Sequence, residues 1–146
     1  MSRTAVRAIV LRGDKLLVMR RDKFGQRYYT LVGGSMGPGE TTDQTLVREL
    51  FEETSMKLIS GKAVFKEEAG DPYGTQFIYL CECEGDEPVL SPNSEEVKIN
   101  ALGQNLHTPQ WMSIEEFKTV PFRSERLKQA IISGIEHGFP EKPVVL

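Results

Sequence analysis

The chain is poor in several residue types, and each scarcity excludes something. Only two cysteines occur in 146 residues, Cys81 and Cys83, so no disulfide framework holds the fold. They lie two apart in a run that reads as strand. That places their Cα atoms roughly 7 Å apart on one face, at the edge of what a disulfide spans. They read as small, half-buried residues of a reducing compartment rather than as a redox or metal pair. Positive charge is also in deficit, with 18 Lys and Arg against 21 Asp and Glu, a net charge of −3. A long nucleic-acid backbone needs a basic footprint and is disfavoured as a partner; a nucleotide as small-molecule substrate is not excluded. No stretch approaches the ~18 apolar residues of a membrane span. The opening MSRTAVRAIVLRGDK has neither a long apolar core nor a cleavage-site pattern, which predicts a cytoplasmic protein without a membrane partner. The two histidines, His107 and His137, show no ligand spacing. Repeats, low-complexity tracts and linkers are missing, so residues 1–146 read as one domain.

What the chain does have is the balance of a globular protein, 39% hydrophobic and 27% charged. At this length about two thirds of the unfolded surface can be buried without a staple. Thr4 to Leu11 and Lys15 to Met19 are rich in Val, Ile and Leu, and Arg12-Gly13-Asp14 between them supplies a hairpin turn. Tyr28 to Val32 reads as a third short strand. The density of Gly and Pro from Gly33 to Gly39 predicts a loop. Thr41 and Gln44 match a capping box, opening a helix that runs to about Thr54. Gly61 to Glu68 and Thr75 to Glu84 read as strands joined by a turn at Gly70-Asp71-Pro72-Tyr73-Gly74. The second alternates Phe77, Tyr79 and Cys81 against Ile78 and Leu80, apolar on both faces, which predicts a central strand. Glu84 to Asn105 is polar and reads as a mobile loop. Thr108 to Met112 is a short strand, Ser113 to Glu116 a second capping box, and Arg123 to His137 a closing helix with Leu127, Ala130, Ile131 and Ile135 at helical spacing. Strands with helices before and after predict an α/β layered domain.

The helix from Thr41 to Thr54 has two characters. Leu46, Val47, Leu50, Phe51 and Thr54 fall within an arc of about 140°, the predicted buried face. Glu49, Glu52 and Glu53 share another face, at i, i+3 and i+4. Like charges at this spacing repel by a few tenths of a kcal/mol per pair, which either solvent or a divalent cation offsets. A solvated acidic face partly paired with Arg48 is one reading. The other takes account of the preceding glycine loop and Glu40. Glycines let backbone approach a ligand closely, and clustered carboxylates with backbone carbonyls suit Mg²⁺, which keeps waters and borrows substrate phosphates. No Gly-Lys-Ser/Thr ends the loop, so it is not a P-loop.

Gly34, five residues, Glu40, seven residues, then Arg48-Glu49-Leu50-Phe51-Glu52-Glu53-Thr54-Ser55-Met56 resembles the Nudix box, G-x(5)-E-x(7)-R-E-U-x-E-E-x-G-U with U apolar. Every fixed position is met except one, where Ser55 stands for the usual Gly. The box covers Gly34 to Met56. The hairpin before it, the strand leading into Gly33-Gly34 and the Pro109-Gln110-Trp111-Met112-Ser113 run also look like the family. The resemblance implies a Nudix-type α/β/α sandwich with a mixed β-sheet. It implies divalent-metal-dependent hydrolysis of a diphosphate bond in a nucleoside diphosphate derivative, by water attack on phosphorus. Nucleoside triphosphates, ADP-ribose, nucleotide sugars, dinucleoside polyphosphates and capped RNA are all candidate substrates, with long RNA disfavoured by the net acidity. Carried over by position, Glu49, Glu52, Glu53 and the Gly33 carbonyl would bind Mg²⁺ or Mn²⁺. Arg48 would hold Glu49, and Glu40 would support the site by hydrogen bonding. The base would be Glu49 or an acid on a later loop, Glu95 or Glu96. A Nudix-fold domain that binds a nucleotide without cleaving it is the alternative, against which the intact Arg48, Glu49, Glu52 and Glu53 argue.

Ser55 replaces a residue suited to a left-handed helix end, at a cost on the order of 1 kcal/mol, and is expected to leave the site intact. Val32 stands where many members have Pro. Arg20, Arg21, Lys23 and Arg27 could meet substrate phosphate or form ordinary surface charge. Among Phe24, Tyr28, Tyr29 and Tyr73, which could stack on a base or pack internally, Tyr29 is taken with Arg27 and Gly34 as substrate-binding. Glu67-Glu68 would lie near the site if their strand abuts the glycine loop. Trp111 reads as core. The sequence does not give the oligomeric state; many sheet-bearing domains of this size pair, which leaves a homodimer open.

Overall fold

The computed structural model describes residues 3–71 and 73–146; the predicted turn at Gly70 to Gly74 therefore includes one residue, Pro72, outside the described set. The N-terminal hairpin forms from β1 (Thr4–Arg12) and β2 (Lys15–Lys23), followed by β3 (Gln26–Thr30) and β4 (Val32–Ser35). Helix α1 (Thr42–Thr54) leads to β5 (Lys57–Glu68) and β6 (Thr75–Glu84). Then come α2 (Glu95–Asn100), β7 (Asn105–Ser113), α3 (Ile114–Phe117), α4 (Glu125–His137) and β8 (Val144–Val145). The strands order as β3-β2-β1-β6-β5-β8, with β4 pairing β1 and β7 pairing β2. The sheet is mixed, because β1 runs parallel to β6 and β5 to β8 while the other pairs are antiparallel. No helix among the described residues is long and apolar enough to cross a membrane.

Alternation along β1 explains the layers. Val6, Ala8 and Val10 face α1 and pack with Leu46, Leu50, Cys81 and Cys83. Ile9 faces the other way, into a cluster with Ile78, Phe117, Leu127 and Ile131 beneath α4. One helix on each face of a mixed sheet is the α/β/α sandwich the resemblance implied. Strand β6 is central as predicted, hydrogen-bonded to β1 on one side and β5 on the other. Leu46 and Leu50 are almost fully buried, worth about 1.5–3 kcal/mol each. The two thiols are free and buried. Burial raises both, Cys83 to about 11, so neither is a reactive thiolate.

The strand expected from Tyr28 to Val32 is interrupted at Leu31, between β3 and β4, and four further readings need correction. Gly33, Gly34 and Ser35 are strand rather than loop, paired with Arg7, Val6 and Ala5 of β1. A side chain at Gly33 (φ +140°) would place its Cβ 2.0 Å from the Val6 carbonyl oxygen, so glycine is what lets the two backbones meet. Strand β5 begins at Lys57 rather than Gly61; register shifts at Leu58/Ser60 and Ala63/Phe65 break the alternation that marks a strand in the sequence. The stretch from Glu84 to Asn105 contains α2, capped by the Ser94 hydroxyl accepting from the Val97 N–H.

The fourth correction concerns α1. Its buried residues are Thr45, Leu46, Glu49, Leu50, Glu53 and Thr54, whereas Val47 and Phe51 are 52% and 45% exposed. Compared with the apolar arc, the helix is rolled toward its carboxylates. The cause is the pair of glycines in β4, which leaves room beneath the Glu49 and Glu53 side and a backbone donor for Glu53.

Candidate active site

Both halves of the capping box fix where α1 begins: Gln44 N–H donates to Thr41 Oγ1 at 3.1 Å, and Thr41 N–H to Gln44 Oε1 at 2.9 Å. Arg48 is the hub one to two turns later. Its Nε and Nη2 donate to the two oxygens of Glu40 at 2.7 and 2.8 Å. Its Nη1 reaches Glu49 at 2.9 Å and Glu52 at 3.2 Å, and Nη2 also donates to the Ser35 carbonyl at 3.1 Å. Glu40 accepts in addition from the Gly37 N–H and the Thr45 hydroxyl. These donors, Arg48 foremost, hold its carboxyl down at about 2.

Glu53 accepts from the Gly33 N–H at 2.7 Å. A Cβ on Gly34 would meet the Glu49 carboxyl at 2.5 Å, so glycine is what admits that side chain. Ligand oxygens of Glu49, Glu53 and Glu96 all lie within 4.8 Å of one another. Desolvation pushes the carboxyl of Glu49 up and that of Glu53 well up, despite Arg48 beside the first and Arg7 near the second. Glu96 brings a third charge from α2, and its Oε2 is buried with no hydrogen-bond partner among the described residues. Three converging carboxylates, two of them buried and one with an orphaned oxygen, fit a hard divalent cation by donor chemistry and by electrostatics.

The other candidates fall as follows. Glu52 is partly exposed and held by Arg48, outside the trio. The Gly33 carbonyl takes a long 3.3 Å hydrogen bond from Arg7 Nη1. Glu95 is exposed. Arg27 and Arg20 both pair with Asp22, Tyr29 packs in the core with Phe122 and Leu31, and Phe24 is exposed. Trp111 is half-buried with Arg12 over its ring.

A cavity of about 420 Å³ is lined in part by Arg7, Arg21, Lys23, Tyr28, Tyr73 and Arg123, and Arg7 donates from it to the Gly33 carbonyl. Glu67 and Glu68 line it too. Sequence reasoning missed Arg7 and Arg123. Arg7 did carry a signal, a cation at an alternate position of an otherwise apolar strand. Burial lowers the pKa of its guanidinium, and it reaches Gln76 Oε1 and the Leu31 and Gly33 carbonyls.

Solved structures of this architecture define the fold class. The mutator MutT protein of Bacillus halodurans matches with a TM-score of 0.67 over 98% of this chain and 86% of its own, at 20% identity. An ADP-ribose pyrophosphatase from Streptococcus suis 89-1591 matches with a TM-score of 0.69 over 100% of both chains, at 16% identity. The family model of the NUDIX domain matches residues 1–131. The chain belongs to the Nudix hydrolase family. Among curated relatives, an NAD-capped RNA hydrolase NudC of Pseudomonas putida (strain W619) is 30% identical over 113 residues, 77% of this chain. The NudC of Pseudomonas entomophila (strain L48) is 26% identical over the same length. The chain spans 37% of the length of each of these two relatives.

Proposed function

We propose that the protein is a divalent-metal-dependent pyrophosphohydrolase acting on a nucleoside diphosphate derivative. The observation that carries this reading is the convergence of Glu49, Glu53 and Glu96, with Gly33 bonded to Glu53 through its N–H and to Arg7 of a cation-lined cavity through its carbonyl. Glu49 and Glu53 would be the principal ligands of Mg²⁺ or Mn²⁺, with one oxygen of Glu96 completing the set. When bound, the cation supplies charge neutralisation on the diphosphate and polarisation of the attacking water. Arg48 orients Glu49 and fixes Glu52, and Glu40 locks Arg48 in place. In the reaction, water oxygen bonds to phosphorus, the bridging P–O bond breaks and the diphosphate bridge opens. A carboxylate takes the water proton. We assign this to Glu96, whose Oε2 has no partner, with Glu49 and Glu53 as the principal cation ligands. Relatives named as NAD-capped RNA hydrolases and a fold neighbour named as an ADP-ribose pyrophosphatase are consistent with a diphosphate-bridged nucleotide. The net charge of −3 favours a small molecule over long RNA.

The test is a panel of nucleoside triphosphates, ADP-ribose, nucleotide sugars, dinucleoside polyphosphates and NAD, with Mg²⁺ and with Mn²⁺, following released nucleotide by chromatography. Metal-dependent cleavage at a diphosphate, lost in Glu53→Gln, is expected. A folded protein that binds these nucleotides and cleaves none would overturn the assignment in favour of a binding domain.

A further inference from the structure

The cavity that Arg7 shares with the Gly33 carbonyl is unbalanced in charge. Arg3, Arg7, Arg21, Lys23, Arg123 and Arg126 line it. Among the described residues, Arg126 has an ion pair with Glu67 at 3.8 Å, while the first five have none. Arg3 donates to Ser35 Oγ and Arg21 to Asn105 Oδ1, both neutral acceptors at 2.6 Å. The Arg21 Nε is buried with no hydrogen-bond partner at all among the described residues. The two acids in the wall are already engaged: Glu67 by Ser124 and Arg126, Glu68 by Lys66 and Thr75.

The aromatic rings in the wall are engaged as well. The Arg123 guanidinium lies 4.1 Å from the centre of the Tyr28 ring, and Arg21 lies 5.7 Å from it. Arg123 also donates to the Tyr73 hydroxyl at 2.5 Å. Guanidinium groups thus cover the surfaces on which a neutral base would stack. A group entering the cavity meets charged donors first, and the buried Arg21 Nε without a partner shows that the protein's own acceptors do not satisfy this guanidinium.

We propose that the substrate carries a phosphate group additional to the two of the scissile diphosphate, and that this cavity holds it between Arg21 and Arg123. The inference rests on the pyrophosphohydrolase reading and narrows its substrate class. The extra phosphate has two chemical sources: a third phosphate in the same chain, as in a nucleoside triphosphate or dinucleoside polyphosphate, or a phosphomonoester on the sugar. A bidentate guanidinium pair suits either.

Binding is measured first, without metal. Inorganic phosphate is titrated calorimetrically into the chelated protein at fixed ionic strength, with wild type, Arg123→Gln, Arg21→Gln and Glu53→Gln in parallel. Arg123 is exposed, so its variant tests the site without disturbing the core. Binding weakened about tenfold by each arginine change, and retained in Glu53→Gln, is expected. Turnover with metal then separates the sources: ADP-ribose against its 2′-phosphate, and nucleoside diphosphates against triphosphates. In one of the two pairs the extra phosphate should raise kcat/KM about tenfold, and Arg123→Gln should abolish that gain. Arginine-dependent phosphate binding with no turnover of any substrate would sink the enzymatic reading, and with it the substrate assignment, while leaving the phosphate site at Arg21 and Arg123 standing. Turnover indifferent to the extra phosphate in both pairs, with phosphate binding unmoved by either arginine, would overturn this one alone.

Discussion

Glu53 is 5% exposed and has one backbone donor, Gly33, at 2.7 Å. Without a cation its charge is a burden on the fold, offset only in part by Arg7. Glu53→Gln keeps an acceptor for the Gly33 N–H and removes the buried charge. In chelator the variant should be more stable than wild type, by on the order of 1 kcal/mol, read as a higher urea midpoint. With metal it should lose at least about a hundredfold in kcat/KM, because a neutral amide is a poor ligand for a hard cation. A solvated acidic face would also gain stability on neutralisation, but activity would not change.

Ser55 makes the opposite point, that a departure from a motif can be locally compensated. It ends α1 in the left-handed region (φ 63°), a conformation costing about 1 kcal/mol in a residue with a side chain. Its hydroxyl donates to the Val89 carbonyl at 2.6 Å, which returns a similar amount. Ser55→Gly should therefore shift stability by less than about 1 kcal/mol, since relief of strain and loss of the bond oppose each other. Ser55→Ala keeps the strain and loses the bond, and should destabilise by about 1 kcal/mol. Chemical denaturation of the two variants side by side distinguishes these outcomes.

At the scale of the element, α1 is clasped to the loop before it by Arg48 and Glu40. Glu40 sits at about 2 in the folded chain against an ordinary 4.5. A carboxyl held below its unfolded value adds stability that is fully present above about pH 4.5 and is lost as pH falls toward 2. Wild type should lose stability across that window. Glu40→Gln should have a flatter acid limb there, which thermal melts taken every half unit of pH would show. The elements themselves were legible where the determinants are local: the capping box at Thr41 and Gln44, the hairpin, and the spacing from Gly34 to Met56. The rotation of α1 was not, because it depends on a contact between Glu53 and Gly33, twenty residues apart. An apolar count over Val47 and Phe51 cannot see a glycine strand passing beneath the opposite face. The cavity was hidden for the same reason. Lys23 and Arg21 are neighbours in sequence, but Arg7 and Arg123 reach them only through the pairing of β1 with β4 and the placement of α4's entry.

At the scale of the molecule, the three carboxylates bring together two helices, α1 and α2, from distant parts of the chain. Glu49 and Glu53 are on α1, while Glu96 is on α2, a six-residue helix with no buried residue of its own. The segment carrying α2 is tied at its entry, where the Ser91 N–H donates to the Glu52 carbonyl at 2.7 Å. At its exit, Asn100 bonds the His107 backbone at 2.7 and 2.9 Å. Between these ties α2 adds no residue to either apolar core cluster, so its amides should exchange quickly in chelator. A cation shared by Glu96 with Glu49 and Glu53 would hold the middle of this segment against α1. Saturation at a hundredfold above Kd adds about 2.7 kcal/mol to global stability. Hydrogen exchange followed by mass spectrometry should then show Mg²⁺ or Mn²⁺ slowing peptides that cover residues 95–100 as well as those of α1. In Glu96→Gln the effect on α1 should persist in weakened form while that on α2 disappears. Metal protection confined to α1 in the wild type would remove Glu96 from the cation site and leave its carboxylate to proton transfer alone.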